Sequence, residues 1–389
     1  MRIAMIGTRG VPARYGGFET AVEEIGRRLV DAGHEVTVYC RGERHPEREY
    51  LGMRLVHLPA VRSKVAETLS HTGLSVAHAA WRRVTRRGPD VALVFNAANS
   101  PLLPVLRTMR VPVATHVDGL EWKRTKWSGT GRGYYRKAES LAVRWSDALI
   151  ADARGIQDYY TERFGADSVF IAYGAPILAE TDTAKLAEAG YRPGEYHLVV
   201  ARFEPENHVH LAVEGYRRSA AVRPLVVVGS APYADEYTKR VQDLAGDDPR
   251  IRFLGGVWDQ DLLDALYAGA LTYLHGHSVG GTNPSLLRAM GAGASVVAYD
   301  VNFNREVLGE EAGRFFGDAE SLAHEVEVAE ADPGAAADRG QAARKRAAEH
   351  YVWDDVAVAY ERLCEDLRAR RLTRRTVRPK RRRGSRGDD

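Results

Sequence analysis

The chain has 389 residues, 44% of them hydrophobic, which is too long for one ordinary core and predicts two domains. Its two cysteines, Cys40 and Cys364, lie in different halves without a CxxC motif, which argues against a disulfide framework or a structural zinc site and favours a reducing cytosol. No apolar run approaches the roughly 18 residues of a membrane-spanning helix, and the N-terminal apolar stretch is too short for a signal peptide.

Charge changes sign along the chain. Residues 1–175 hold 26 basic and 18 acidic residues, a net charge of +8, whereas residues 176–366 hold 18 and 32, a net charge of −14. The change predicts a domain boundary near residue 175. The basic half predicts an anionic partner, which could be a phosphate-bearing ligand, a lipid headgroup or nucleic acid. An arginine-rich coding bias is the alternative explanation, since 47 of the 55 basic residues are arginine.

The C-terminal residues are strongly basic. Residues 367–389 contain 11 basic and 2 acidic residues, a net charge of +9. We expect residues 374–389 to form a disordered tail that binds anionic lipid at about 1 kcal/mol per basic residue near the surface. Nucleic acid is the competing partner, but the rest of the chain shows no nucleic-acid-binding motif.

Short apolar runs alternate with longer amphipathic stretches in the first half of the chain, which predicts strands alternating with helices. Strands are predicted at residues 2–7, 35–40, 53–58, 90–96, 111–117, 148–151 and 169–172. Helices are predicted at residues 16–32, 64–86, 133–145 and 154–164.

The alternation begins again in the second half. Strands are predicted at residues 197–201, 225–228, 251–254, 271–274 and 295–298. Helices are predicted at residues 210–221, 236–245, 261–268, 284–292, 334–349 and 354–371. This order is typical of parallel sheets covered by helices on both faces, and so of two Rossmann-like domains. Such sheets bind ligands beyond the carboxyl ends of their strands, so we expect the site in a cleft between the domains.

The first predicted strand runs into a glycine-rich loop, residues 7–19. The GxGxxG spacing of dinucleotide-binding proteins is absent, which argues against a nicotinamide or flavin enzyme. Gly16 and Gly17 precede a predicted helix and can present backbone N–H groups to an anion. The loop therefore predicts phosphate or sugar contact, the alternative being a plain strand-to-helix turn.

A polar and aromatic cluster follows the strand predicted at 111–117. It contains His116, Asp118, Glu121, Trp122 and Arg124. Carboxylates beside aromatic rings suit sugars, which present hydroxyl groups and apolar faces, and the cations suit a phosphorylated acceptor. Each residue alone would fit a structural role, but the cluster at a strand end predicts a binding site.

Arg202 follows the first predicted strand of the second domain. Its planar guanidinium suits a diphosphate because it can donate two parallel hydrogen bonds, each worth about 1.5–3 kcal/mol. The alternative is a surface ion pair with Glu204 or Glu206.

The loop at residues 275–290 joins a predicted strand to a helix marked by Asn283 at the N-cap and Pro284 in the first turn. Glycines before a helix N-terminus, together with Thr282, predict an anion site. His275 and His277 have no third plausible ligand nearby in the sequence, so we do not expect a metal site.

These motifs, in this order, resemble those of retaining glycosyltransferases of family 4, and more narrowly the rhamnosyltransferase-type branch. The residues that carry the resemblance are 16–19, 116–127, 202–207, 280–290, 304–306 and 351–353. The resemblance implies an α/β protein of the GT-B fold, with two Rossmann-like domains whose parallel sheets face a central cleft and a C-terminal helix that crosses back to the first domain.

Charge pattern and resemblance together predict four regions. An N-terminal acceptor domain covers 1–175, and a nucleotide-sugar donor domain covers 176–350. A terminal helix at 351–373 packs back on the first domain, and 374–389 form the basic tail.

The resemblance also implies which residues carry out catalysis and which bind the donor and the acceptor. Arg202, His116 and Asp118 would be catalytic, with Arg202 holding the diphosphate. The donor would contact Gly16, Gly17, Arg202, Asn207, Ser278, Gly280, Gly281, Thr282, Asn283 and Arg288. The acceptor would contact Arg9, Glu19, His116, Asp118, Glu121, Trp122 and Arg124. In such enzymes the donor phosphate is thought to take the acceptor proton, while the protein stabilises the departing diphosphate.

The sequence departs from the family pattern at three positions. The family usually has two glutamates separated by seven residues, and these positions align to Gly280 and Arg288. The usual lysine after the diphosphate-binding arginine aligns to Asn207. One hypothesis is that Arg288 replaces the missing lysine as a second diphosphate clamp, with weak ribose recognition that would suit a deoxythymidine donor. The opposing hypothesis is that Arg288 points away and activity is lost.

Three functions remain open at this point. The first is a glycosyltransferase that moves rhamnose or another hexose from a nucleoside-diphosphate sugar to a glycan or lipid-linked acceptor, with retention, in polysaccharide or glycolipid biosynthesis. The second is a catalytically silent protein of the same fold that serves as a binding or assembly partner, and the third is a sugar-nucleotide epimerase. We expect a cytoplasmic protein, peripheral on the inner membrane face through its basic N-domain and tail. No cofactor beyond the nucleotide-sugar co-substrate, no metal and no nucleic acid are expected.

Overall fold

The computed structural model describes residues 1–13, 17–42, 47–61, 66–117, 119–124, 127, 129–178, 183–229 and 235–377. Contacts between Cα atoms divide the chain into two compact units. The first unit comprises Met1–Trp122, Trp127–Ile171 and Asp354–Asp389, and the second comprises Lys123–Lys126 and Ala172–Trp353.

The first unit is built around a mainly parallel sheet. Its strands are β1 (Arg2–Ile6), β2 (Glu35–Arg41), β3 (Glu49–Tyr50), β4 (Met53–Leu58), β5 (Val91–Phe95), β6 (Val113–His116), β7 (Ala148–Ala151) and β8 (Val169–Phe170). They lie in the order β3-β4-β2-β1-β5-β6-β7-β8, and the short β3 pairs with β4 in the antiparallel sense. The central strands are continuous apolar runs because helices cover both faces of the sheet.

Helices of the first unit connect these strands. They are α1 (Gly17–Asp31), α2 (Ala66–Val84), α3 (Leu103–Thr108), α4 (Gly129–Trp145) and α5 (Arg154–Phe164). Two 3-10 turns, Ala97–Leu102 and Glu121–Lys123, follow β5 and β6. One apolar cluster packs residues of β1 and β5, such as Ile6 and Val94, against Val76 and Ala79 of α2.

The second unit repeats this layered plan. Its strands are β9 (His197–Val200), β10 (Leu225–Val228), β11 (Ile251–Gly255), β12 (Thr272–His275), β13 (Ser295–Tyr299) and β14 (Gly313–Phe316). They form a parallel sheet in the order β11-β10-β9-β12-β13-β14. Its helices are α6 (Thr183–Glu188), α7 (Val209–Arg218), α8 (Asp235–Ala245), α9 (Gln260–Gly269), α10 (Pro284–Ala292), α11 (Asn302–Leu308), α12 (Ala319–Ala331) and α13 (Pro333–His350), with a 3-10 turn at Pro205–Asn207.

After the second unit the chain returns to the first through α14 (Trp353–Arg368) and α15 (Arg374–Val377). Arg28 Nε of α1 donates to Asp354 Oδ1 at 2.6 Å, and His34 Nε2 lies 2.8 Å from Glu361 Oε1. These contacts fasten α14 within the first unit.

The prediction of a disordered tail from residue 374 was wrong for its first four residues. Residues 374–377 form α15, whose Val377 side chain is buried. The Val377 carbonyl accepts from Asp167 N–H at 3.1 Å, so this helix is fixed by the first unit. Residues 378–389 lie outside the described part of the chain. Among the described helices, none combines the length and apolar character needed to cross a bilayer.

Candidate active site

Two loops meet at the carboxyl ends of β9 and β12, which are neighbours in the second sheet. Ser278 joins them: its N–H donates to the Glu206 carbonyl at 2.9 Å, and its hydroxyl lies 2.9 Å from His208 Nε2. Gly276 makes the close approach possible, because a Cβ at this position would lie 2.1 Å from the Asn207 carbonyl oxygen. The two predicted donor loops are therefore held together by hydrogen bonds of Ser278 and by the close approach that Gly276 allows.

A charged cluster lies where the first of these loops leaves β9. Arg202 Nη2 lies 3.5 Å from Glu204 Oε2, and Arg124 Nη1 lies 3.3 Å from the same oxygen. Arg124 is also 3.7 Å from Glu206 Oε1. Arg124 belongs to the second unit by its contacts, although it stands in the sequence between two parts of the first. The predicted donor arginine Arg202 and the predicted acceptor arginine Arg124 thus share one carboxylate.

Two stacked histidines stand beside this cluster. The rings of His275 and His277 are 4.7 Å apart and nearly parallel. Burial lowers the pKa of His275 to about 3. Burial, and then the charges of His275, Arg202 and Arg124, lower the pKa of His277 well below its usual value. Both imidazoles are therefore neutral near pH 7, and His277 Nδ1 is buried without a hydrogen-bond partner among the described residues.

The helix after the second loop begins as predicted. Asn283 is the N-cap of α10, and its Oδ1 accepts from the N–H of Ser285 at 2.9 Å and from the Ser285 hydroxyl at 2.7 Å. Gly280 has a φ of +136°, with open space where a Cβ would stand. The loop between β12 and α10 thus has the glycine geometry and helix start expected of an anion site.

Two predicted donor contacts already have protein partners. Arg288 of α10 is hydrogen-bonded through Nη1 to Asp264 of α9. Asn207 donates from Nδ2 to the Arg202 carbonyl at 2.8 Å, so its side-chain amide supports the turn after β9. Both assignments as donor-binding residues remain predictions.

In the first unit, His116 ends β6 and is fully enclosed. Its ring packs edge-on against Phe18 at 5.2 Å and stacks on Phe95 at 5.8 Å. Burial lowers the pKa of His116 to about 3. The neutral ring can form hydrogen bonds but carries no positive charge near pH 7. This aromatic enclosure was not predictable from the sequence, because Phe18 and Phe95 come from two different elements, α1 and β5.

The loop after β1 is joined to the start of α1. Glu19 accepts from the Arg9 N–H through Oε1 at 2.9 Å. Burial raises the pKa of this carboxyl group, while the hydrogen bond from Arg9 opposes the rise. The Arg9 side chain lies 3.9 Å from Glu67 of α2. Gly17 begins α1, whereas Gly16 lies outside the described residues.

The remaining predicted acceptor residues form contacts within the first unit. Trp127 Nε1 donates to Glu121 Oε1 at 3.4 Å. Trp122 Nε1 donates to the Tyr159 hydroxyl at 3.3 Å, and the Arg136 guanidinium lies 4.3 Å from the centre of the Trp122 ring. Asp118 lies outside the described residues.

Three further residues complete the second-unit loops, and only the first was singled out as part of a motif. Asn304 is buried and donates from Nδ2 to the His277 carbonyl at 3.0 Å. The Tyr273 hydroxyl lies 3.2 Å from His275 Nδ1, and burial raises the pKa of Tyr273 to about 12. Tyr299 stacks on His208 at 4.2 Å. Tyr273 lies within the strand predicted at 271–274 and Tyr299 directly after the strand predicted at 295–298, and no motif marked either residue, so their positions in the site were not predictable.

Two family models match the chain. That described as "Glycosyl transferase 4-like domain" matches residues 16–174, and that described as "Glycosyl transferases group 1" matches residues 187–346. The chain belongs to the GT-B glycosyltransferases. The predicted α/β fold with two Rossmann-like domains is thereby confirmed.

Individual relatives are distant but cover most of the glycosyltransferase chain. A phosphatidyl-myo-inositol mannosyltransferase of Mycolicibacterium smegmatis is 27% identical over 79% of both chains. A glycogen synthase of Mycobacterium tuberculosis is 26% identical, covering 92% of this chain and 93% of the relative. Among solved structures, sucrose-phosphate synthase from Thermosynechococcus elongatus superposes with a TM-score of 0.81 at 21% identity, covering 95% of this chain and 99% of that one. Anabaena HepE in complex with UDP-glucose superposes with a TM-score of 0.76 at 18% identity, covering 94% and 100%.

Proposed function

We propose that this glycosyltransferase moves a hexose from a nucleoside-diphosphate sugar to a glycan or lipid-linked acceptor with retention of the anomeric configuration. The observation that carries the proposal is that Arg202 and the glycine-rich loop 275–283 follow two neighbouring strands, β9 and β12, of the second unit. This combination suits a diphosphate, because the arginine supplies charge and the loop supplies backbone donors. Similar proteins include a mannosyltransferase, a glycogen synthase and a protein in complex with UDP-glucose, which supports a hexose donor.

Within this proposal, the second unit binds the donor and neutralises the leaving diphosphate. Arg202 would bind the diphosphate, and residues 280–283 would lie along the sugar and phosphates. In the first unit, Gly17 would approach the donor, and Arg9, Glu19 and the segment 116–122 would bind the acceptor. Neutral His116 would form a hydrogen bond to a sugar hydroxyl group.

The resemblance to the rhamnosyltransferase-type branch favours rhamnose as the donor sugar. The chain has Arg288 where the family has its ribose-binding glutamate, which supports a donor whose ribose lacks the 2′-hydroxyl. A donor panel should therefore include dTDP-rhamnose beside UDP-glucose and GDP-mannose.

The test is incubation of the full chain with that panel and a lipid-linked saccharide. Release of nucleoside diphosphate with a lengthened acceptor supports the proposal, and proton NMR of the new linkage tests retention. Binding without turnover would instead support a catalytically silent member of the fold, for which the pairing of Arg288 with Asp264 is the specific observation. An isomerised donor without acceptor product would support an epimerase. Activity that survives EDTA would agree with the proposed absence of a metal.

We also propose that the enzyme is cytoplasmic and binds the inner membrane face through its first unit. Helix α2 exposes Trp81 by 62% and Val84 by 71%, beside Arg82 and Arg83. An exposed indole flanked by arginines suits the interface of an anionic bilayer. The basic residues 378–389 would add charge to this attraction.

Flotation with anionic liposomes at low salt tests the membrane proposal. Trp81→Ala and a chain that stops after Val377 should each reduce the floated fraction, and high salt should reduce it further. The matched control is Trp258→Ala, since Trp258 is 74% exposed but lies in the second unit. Equal flotation of the Trp81 and Trp258 variants would reject α2 as the contact.

A further inference from the structure

Arg124 is placed unlike the rest of the predicted acceptor cluster. Trp122 and Trp127 belong to the first unit, whereas the contacts of Arg124 are with Glu204 and Glu206 in the loop after β9 of the second unit. Its side chain is only 17% exposed. A guanidinium enclosed to this degree needs an anionic partner, and here the partners stand beside Arg202.

One carboxylate oxygen joins the two arginines. Glu204 Oε2 lies 3.3 Å from Arg124 Nη1 and 3.5 Å from Arg202 Nη2. The two guanidinium groups therefore converge on a single anionic oxygen at the carboxyl edge of the sheet. A phosphate oxygen can also accept hydrogen bonds from two arginines at once, so Glu204 occupies a position that a phosphate group could take. The charges of Arg124 and Arg202 also both act on His277, which agrees with their convergence.

The two other candidates for a second cation are less suited to this role. Asn207 stands where the family has a lysine, but its amide donates to the Arg202 carbonyl. Arg288 is paired with Asp264 on the neighbouring helix α9. Arg124, by contrast, already shares an anion with Arg202.

We propose that Arg124 is the second cation of the diphosphate site and that the diphosphate takes the place of the Glu204 carboxylate between Arg124 and Arg202. This inference rests on the proposed function. It assigns Arg124 to donor binding rather than to the acceptor. It also explains how the chain can bind a diphosphate although the usual lysine is absent.

Titration calorimetry of the full chain tests this inference. UDP, dTDP and GDP are first compared on the unmodified protein, and the tightest is then compared with its nucleoside monophosphate. Arg124→Ala should raise Kd for the diphosphate by about 10- to 100-fold and raise Kd for the monophosphate less. Arg124→Lys should recover part of the affinity. Arg218→Ala is the control, because it removes one charge from α7, where Arg218 pairs with Glu214.

A double-mutant cycle separates direct binding from support of Glu204. If Arg124 binds the diphosphate itself, Arg124→Ala still weakens binding when Glu204 is replaced by glutamine. If Arg124 only positions Glu204, that loss disappears and the inference is overturned. Unchanged diphosphate affinity in Arg124→Ala, with an unchanged thermal midpoint, overturns it equally. Failure of the unmodified protein to bind UDP, dTDP or GDP would contradict the proposed function as well, which distinguishes the two failures.

Discussion

Replacing Glu204 with glutamine should tighten the binding of a nucleoside diphosphate. The Glu204 side chain is 21% exposed and interacts with Arg124 and Arg202 through one oxygen. A diphosphate that binds these arginines must displace this carboxylate or accept it as a neighbouring negative charge. Glutamine keeps the size and the hydrogen-bonding oxygen of glutamate but removes the charge.

The size of the effect follows from the two ion pairs. Partly exposed pairs contribute about 0.2–1 kcal/mol each. Arg202 is 37% exposed, so its pair at 3.5 Å belongs at the low end of that range, and the more enclosed Arg124 pair belongs near the high end. Together they oppose ligand binding by about 1 kcal/mol, which corresponds to a roughly fivefold lower Kd for Glu204→Gln.

Titration calorimetry at a salt concentration of about 0.15 M measures this change, because long-range charge effects are then screened beyond about 8 Å. Glu214→Gln is the matched control, since Glu214 pairs with Arg218 on α7 and the substitution changes the net charge equally. A Kd for Glu204→Gln that equals or exceeds the control value would refute the idea that Glu204 competes with the ligand.

Two further outcomes follow from the packing. Gly276→Ala should abolish diphosphate binding and lower the thermal midpoint, because the new Cβ would clash with the Asn207 carbonyl oxygen. The control is Gly73→Ala in α2, where the added Cβ has open space and should stabilise the protein by about 0.5–1 kcal/mol. Equal thermal midpoints of the two variants would contradict this expectation. The neutral His275 should make the protein acid-sensitive. Because its pKa of about 3 in the folded protein lies below the ordinary histidine value of 6.5, its contribution to stability is complete above pH 6.5 and is lost as the pH falls towards 3. The thermal midpoint should fall less between about pH 7 and pH 5 in His275→Gln than in the unmodified protein, and equal slopes would exclude His275 as a cause.

Local patterns predicted much of the fold. Buried parallel strands such as β1 and β10 are short apolar runs, and Asn283 with Pro284 marked the start of α10. β14 was not predicted, because only two of its four residues, Gly-Arg-Phe-Phe, are large and apolar. α12 was not predicted either, although Asp318 and Ser321 form a capping box at its start.

Contacts between distant segments were beyond such patterns. Arg124 was grouped with its sequence neighbours as an acceptor residue, yet its ion pairs are with Glu204 and Glu206, some 80 residues further along the chain. Likewise, the sequence did not indicate that Arg288, the hypothetical second diphosphate clamp, would pair with Asp264 on another helix. Charge and spacing in the sequence predicted which loops would form the site, but tertiary packing decides which cation pairs with which carboxylate.

The charge distribution affects the affinity that we expect of the proposed donor site. Residues 176–366 hold 18 basic and 32 acidic residues, so the surroundings of the site repel an anion at long range. Burial lowers the pKa of His275, and burial together with the neighbouring charges lowers the pKa of His277, so neither ring adds positive charge near pH 7. In the proposed donor site, attraction for a diphosphate would come from Arg202, Arg124 and backbone N–H groups at short range. Screening by salt acts mainly on distant charges, so added salt should weaken the long-range repulsion more than this local attraction.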